Sequence, residues 1–297
     1  MTRLRLLLAA SLILSPLVAA AQPVTTALRE LYRLDVQAAS ATRIGAFGFV
    51  GGQQVADIEG LAYAPNGTLY GVSDASRMVY RLNPATGAAT PVAPLEIADT
   101  GAFDYGLAFT CDGRAWLSSD STRAIYELDI VSGRTLIVGT TPVAISGLAG
   151  RNDTLYGIGV GADEGIYRID PLTGATTLLT RFDLSNEVVD AGLDFDAAGR
   201  LWATLDFNPP TNGVQVDHSD VAEFDRTTGA LISARRIAGI PQFTDLEGLA
   251  LAPPSCDGGG GGVQATAGVP VDAPPALAVL IALCGLIGLA AVQRRAA

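Results

Sequence analysis

The sequence predicts an all-β fold: a five-bladed β-propeller closed by strands from its own N-terminus, flanked by a signal peptide and a C-terminal transmembrane tail. Three observations carry this reading. A short motif built around Gly-Leu recurs five times in the middle of the chain. Its copies stand about 45 residues apart, the period of a four-stranded propeller blade. Both chain ends differ in composition from the repeats between them.

The first end is a targeting segment. Arg3 and Arg5 precede the apolar run Leu6–Leu14, and small residues follow at Ala19, Ala20 and Ala21. A basic start, a short apolar core and a small-residue cleavage site describe a secretory signal peptide, residues 1–21. The run is shorter than the roughly 20 residues that span a bilayer. Gln22 is the expected first residue of the mature chain.

Residues 22–252 hold the repeats. Asp57-Ile-Glu-Gly-Leu-Ala recurs as Asp104-Tyr-Gly-Leu-Ala, Ile145-Ser-Gly-Leu-Ala, Asp190-Ala-Gly-Leu-Asp and Asp245-Leu-Glu-Gly-Leu-Ala. In the first four, a turn leads to an aromatic second strand with Tyr70, Trp116, Tyr156 or Trp202. A third strand carries Tyr80, Tyr126, Tyr167 or Phe224, and a turn ending in Gly87, Gly133, Gly174 or Gly229 opens a fourth. Short alternating strands bounded by Gly, Asn, Asp and Pro are antiparallel hairpin material. No long 3.6-residue periodicity competes with this assignment. The fifth repeat has only a first strand. Leu31–Asp35 and Ala41–Gly45 supply its outer strands, giving a blade of three or four strands that closes the ring and hides its edges.

Residues 253–275, with the run Gly258–Gly262, form a flexible linker. Residues 276–292 are apolar and span roughly 25 Å as a helix, near the lower limit for crossing a membrane. Residues 293–297 contain Arg294 and Arg295, which the positive-inside rule keeps cytoplasmic. The folded part therefore faces the periplasm while the chain is in the inner membrane, and the cell surface or medium after sorting.

The tail, with Val269-Pro270, Pro274-Pro275, one short helix and Arg294-Arg295, resembles bacterial sorting tails of the PEP-CTERM and IPTL-CTERM kind. That resemblance implies an exosortase-type processing enzyme as partner. Val271-Asp272 stands where those patterns carry Glu-Pro or Thr-Leu. A permanent C-terminal anchor is the alternative. The repeats resemble the NHL, gluconolactonase-like and phytase-esterase-like propeller group through the Asp-x-Glu-Gly-Leu-Ala strand. This implies fold rather than activity.

Composition excludes several functions. The net charge of −11 argues against a general nucleic-acid binder. Every basic side chain is Arg, so Schiff-base lysines and Walker-type loops are absent, and a single histidine, His218, rules out any site needing two. In a propeller the first strands line the channel, and carboxylates gather at their starts: Asp57, Glu59, Asp104, Asp190, Asp245 and Glu247. Asp74, Asp120 and Asp206 close second strands on the same face. Converging carboxylates without Lys or His suit a hard cation, Ca²⁺ being the candidate cofactor. The competing reading makes each carboxylate a cap for its own turn.

Other motifs are weaker. Asp194-Phe-Asp196-Ala-Ala-Gly199 matches the start of an EF-hand loop, but Leu205 stands where Glu is needed, which leaves a blade turn. His218 lies in the longest insertion beside Asp217 and Ser219, without the Gly-x-Ser-x-Gly turn that would support a triad. No catalytic residue is assigned. Cys111 and Cys256 both follow first strands and could pair on one face in an oxidising periplasm, but blades two and five are not ring neighbours, so unpaired thiols are the leading expectation. The leading functional reading is an exported, surface-sorted binding or scaffold module for an unidentified extracellular ligand. The alternative is a Ca²⁺-dependent hydrolase of the lactonase or phosphoesterase kind, its metal at the acidic mouth.

Overall fold

The computed structural model describes residues 21–98, 104–182, 184, 187–207, 218–241 and 244–256. The linker beyond Cys256, the sorting residues Val269 and Pro270, the apolar segment and Arg294-Arg295 lie outside the described residues. So does the expected signal peptide, apart from Ala21. Among the described residues no helix is long and apolar enough to cross a membrane.

Five four-stranded antiparallel sheets make the ring. Blade one runs Ile58–Tyr63, Leu69–Ser73, Met78–Leu82 and Ala89–Pro94. Blade two runs Tyr105–Phe109, Ala115–Ser119, Ala124–Leu128 and Thr135–Thr140. Blade three is Ile145–Arg151, Thr154–Gly159, Gly165–Ile169 and Thr176–Thr180. Blade four is Val188–Phe195, Leu201–Phe207, Ser219–Phe224 and Leu231–Arg236.

Blade five joins the two chain ends. Leu249–Ala250 is its inner strand, followed outward by Val24–Ala27, Glu30–Asp35 and Ser40–Ala46. The blade is therefore four-stranded. Its second strand, Val-Thr-Thr-Ala, lacks the aromatic of the other second strands. Thr25 and Thr26 are instead fully buried, and Thr25 donates its hydroxyl to the Gly248 carbonyl at 2.8 Å.

The recurrent glycine has a physical reason: it is where neighbouring inner strands touch. A Cβ on Gly60 would lie 2.9 Å from Leu107 Cβ in blade two, and one on Gly106 2.7 Å from the Ser146 carbonyl oxygen in blade three. Gly147 faces Ala191 in the same way, Gly192 faces Glu247, and Gly248 faces Glu59. The contacts run from blade one through blade five and back to blade one. They leave no room for a side chain at the narrow centre of the ring.

Burial falls off outward. Tyr105–Phe109 and Ile145–Arg151 are buried along their whole length, while Thr135–Thr140 carries exposed Leu136 and Ile137. Trp116 and Trp202 are among the largest fully buried side chains. Their indoles still find acceptors: Trp116 Nε1 donates to Thr110 Oγ1 at 2.8 Å, and Trp202 Nε1 to Asp196 Oδ2 at 3.0 Å. Phe224 is not the counterpart of Tyr80, Tyr126 and Tyr167. Those pair with Gly71, Leu117 and Gly157, whereas the matching Ala203 pairs with Ala222.

The expectation of unpaired thiols is overturned, because Cys111 and Cys256 form a disulfide with a Cα–Cα distance of 5.8 Å. Ring adjacency limits contacts among outer strands, but the ends of inner strands converge on the axis. After its inner strand the chain crosses beneath blades four and three to reach blade two.

Candidate functional site: the acidic channel mouth

Each blade delivers one polar side chain to a common cavity at the start of the inner strands. Glu59, Asp104, Ser146, Asp190 and Glu247 line it, together with inner-strand backbone and leucines, around about 10 Å³ of water-accessible space. None of the lining residues is basic. A register irregularity between Ile58 and Gly60 puts Glu59 at a bulge, and another between Ile145 and Gly147 does the same for Ser146. Bulges of this kind turn a side chain out of the regular alternation.

The cavity brings together four of the six expected carboxylates. Asp57 and Asp245 are not among its lining residues. Asp57 adopts a left-handed backbone, φ 49°, at the entrance to its inner strand, and Asp245 is exposed. Ser146 is the member that sequence reasoning missed. It immediately precedes the shared glycine, as Glu59 and Glu247 do, and that register was the available signal.

The polar groups bond from blade to blade. Glu59 Oε2 accepts the backbone N–H of Tyr105 at 3.1 Å. Ser146 Oγ donates to Asp190 Oδ1 at 2.7 Å, and accepts the Ala191 N–H at 3.0 Å. Asp104 hydrogen-bonds Asp190 through their carboxyls. Glu247 Oε2 is buried with no hydrogen-bond partner.

Electrostatics follow from this crowding. Burial, reinforced by Asp104, Asp74, Asp190 and Glu247, pushes the Glu59 carboxyl from 4.5 up to about 12. Burial and the nearby Asp190, Asp57, Asp74 and Asp245 charges raise Glu247 well above its ordinary range. Asp104 is also raised, by burial and by Asp190. Burial raises Asp190 as well, against the opposing bonds from Ser146, Asp104 and the Ala191 N–H. At neutral pH the cluster holds protons, because four adjacent charges cannot be kept apart in so small a space.

The other acids of this face fix their own blades. Asp120 Oδ1 accepts the Asp104 N–H at 3.1 Å, and Asp206 accepts the Ser219 hydroxyl at 2.9 Å. His218 stacks on Phe207 with ring centroids 5.0 Å apart, and its Nε2 lies 3.5 Å from Asp220. The Ser219 hydroxyl thus points to Asp206, and Asp217 lies outside the described residues. Asp196 caps its turn, accepting the Ala198 and Arg200 N–H groups at 2.9 Å, as expected of a blade turn.

Whether a metal fits can be asked of this donor set. Among the described residues no group of three or more His, Cys, Asp or Glu side chains is disposed to hold a metal ion. The unpartnered Glu247 oxygen and the oxygen-bearing polar side chains match the chemistry of a hard cation, but as placed the carboxylates do not form a metal-binding group.

No protein-family description matches the chain, and no curated protein matches it. Among solved structures it is similar to a chain in the crystal structure of a nidogen/laminin complex, at 15% identity and a TM-score of 0.50, covering 79% of this chain and 99% of that one. Virginiamycin B lyase from Staphylococcus aureus is also similar, at 15% identity and a TM-score of 0.42, covering 74% of this chain and 71% of that one. This protein is a β-propeller. At such identities the likeness bears on fold alone.

Proposed function

We propose that the protein is an exported, surface-sorted β-propeller that works as a binding or scaffold module of the bacterial envelope or extracellular matrix. In this reading its acidic channel mouth takes a hard cation, Ca²⁺, and the cation organises the ligand-facing end. The observation that carries it is the cavity lined by Glu59, Asp104, Asp190 and Glu247, with one Glu247 oxygen left without a partner. The Cys111–Cys256 disulfide supports export, since such bonds persist in oxidising compartments. Sorting through an exosortase-type enzyme at the C-terminal tail rests on the sequence of residues 253–297.

Metal analysis of protein purified without chelator, paired with a lactone and phosphoester activity screen, tests this. Bound calcium without turnover is the expected result. Turnover that calcium restores after chelation would replace the module by the hydrolase. Protein free of metal and unable to take up added calcium would remove the cation.

A further inference from the structure

The end of the channel opposite the acidic mouth is crossed by a single stretch of chain, Leu251–Cys256. It leaves the inner strand of blade five and meets the other blades in turn. The Leu251 N–H donates to Asp194 Oδ2 in blade four at 2.7 Å. Ser255 bridges Arg151 in blade three, and its carbonyl accepts the Asn152 N–H at 3.1 Å. The Asn152 carbonyl in turn accepts the Cys111 N–H at 3.0 Å, and Cys256 is disulfide-bonded to Cys111 in blade two. Between these anchors the chain bends at Ala252 and Pro253, and Pro253 and Pro254 offer no N–H.

The seam just before this stretch is the shortest ladder among the five blades. The inner strand of blade five pairs with its neighbour through two residue pairs, Val24 with Ala250 and Thr25 with Leu249, extended by the Thr26 N–H to the Gly248 carbonyl, the Glu247 N–H to the Thr26 carbonyl and the hydroxyls of Thr25 and Thr26 on Gly248. Inner strands of blades one to four make five or more such pairs. Ring closure thus rests on a short ladder and its threonine bonds, and a further tie at the adjoining stretch would reinforce it.

We infer that Leu251–Cys256 is a strap, latched by the Cys111–Cys256 disulfide, which holds the blade-five seam shut and makes opening of the ring thiol-controlled. A dithiol reductant would attack the Sγ–Sγ bond. Two electrons and two protons then yield the Cys111 and Cys256 thiols, while the reductant becomes its own disulfide. The strap would be left with the Leu251, Ala252 and Ser255 bonds and the packing of Leu251. A bond spanning 145 residues of sequence constrains the unfolded chain strongly, so stability should also fall on reduction.

Hydrogen exchange on the purified full-length chain, oxidised and after dithiol reduction under native conditions, separates a latch from general stabilisation. Reduction should raise exchange at least tenfold in Val24–Ala27 and Thr244–Cys256, leaving the inner strands of blades two to four as protected as before. A Cys111→Ser/Cys256→Ser variant should show the same pattern. Should that variant fail to fold, reduction of the already folded wild type still decides. A rise spread evenly over all five blades, an unchanged seam, or oxidised protein without a Cys111–Cys256 cross-linked peptide would overturn the latch.

Discussion

Gly248 of the fifth blade lies against the carbonyl of Glu59 in the first, with no space between them for a side chain. The same residue pair joins the two halves of the account. The glycine closes the ring, and closing the ring brings Glu59 and Glu247 to one cavity. Propeller geometry and acidic mouth are thus consequences of one packing arrangement.

Adding a methyl group at such a contact should be costly wherever the facing atoms are backbone. Gly147 is a fair test, because a Cβ there would meet the Ala191 carbonyl at 2.5 Å and the Leu193 nitrogen at 2.8 Å. Gly147→Ala should lower stability by about 1–3 kcal/mol. Urea denaturation of the two proteins measures it, and equal midpoints would contradict the contact.

The propeller was legible in the sequence because its repeated glycines are contact points between blades, a constraint that survives variation elsewhere. The four cavity carboxylates were legible for the same reason, since they sit within two residues of those glycines. Ser146 was not, because a hydroxyl among carboxylates does not announce itself without the register. The disulfide was also hidden. It depends on a strap crossing the axis, whereas reasoning from ring neighbours considers only the rim. The Val24–Ala27 strand escaped notice because its two central residues are buried threonines bonded to Gly248, rather than an aromatic in a core.

Stability should depend on pH in the direction set by the cluster. Glu59 rises from 4.5 to about 12 on folding, and burial carries Asp194 from 3.8 to about 7. A carboxyl raised in the folded state contributes most below its unfolded value, and that contribution is lost as the pH climbs. Metal-free protein should therefore become less stable from about pH 5 to pH 8, by about 1.4 kcal/mol per pH unit for each proton retained on folding. Glu59→Gln should flatten the slope while its side-chain oxygen still accepts the Tyr105 N–H. Denaturation at several pH values with chelator present measures this, and parallel slopes for both proteins would contradict it.

The mature chain should begin at Gln22. The Tyr63 hydroxyl donates to the Gln22 carbonyl at 2.7 Å, so the propeller already makes use of this residue. Intact mass of exported protein checks the cleavage. Retention of Met1 would contradict it.

At the other end, Arg294→Ala with Arg295→Ala should impair retention or processing of the tail and leave the propeller folded. Unchanged fractionation and mass would count against a sorting role.

A cation shared at the channel mouth would show itself in thermal melts of the wild-type protein with calcium and with chelator, beside a Glu59→Gln/Glu247→Gln variant. Binding to the folded state alone stabilises by about 2.7 kcal/mol at a hundredfold excess over Kd. For a propeller of this size that is a rise in melting temperature of about 5–10 °C. The account predicts that rise in the wild type, its loss in the variant, and a chelated variant no less stable than the chelated wild type. Identical wild-type melting with calcium and with chelator would contradict the cation site.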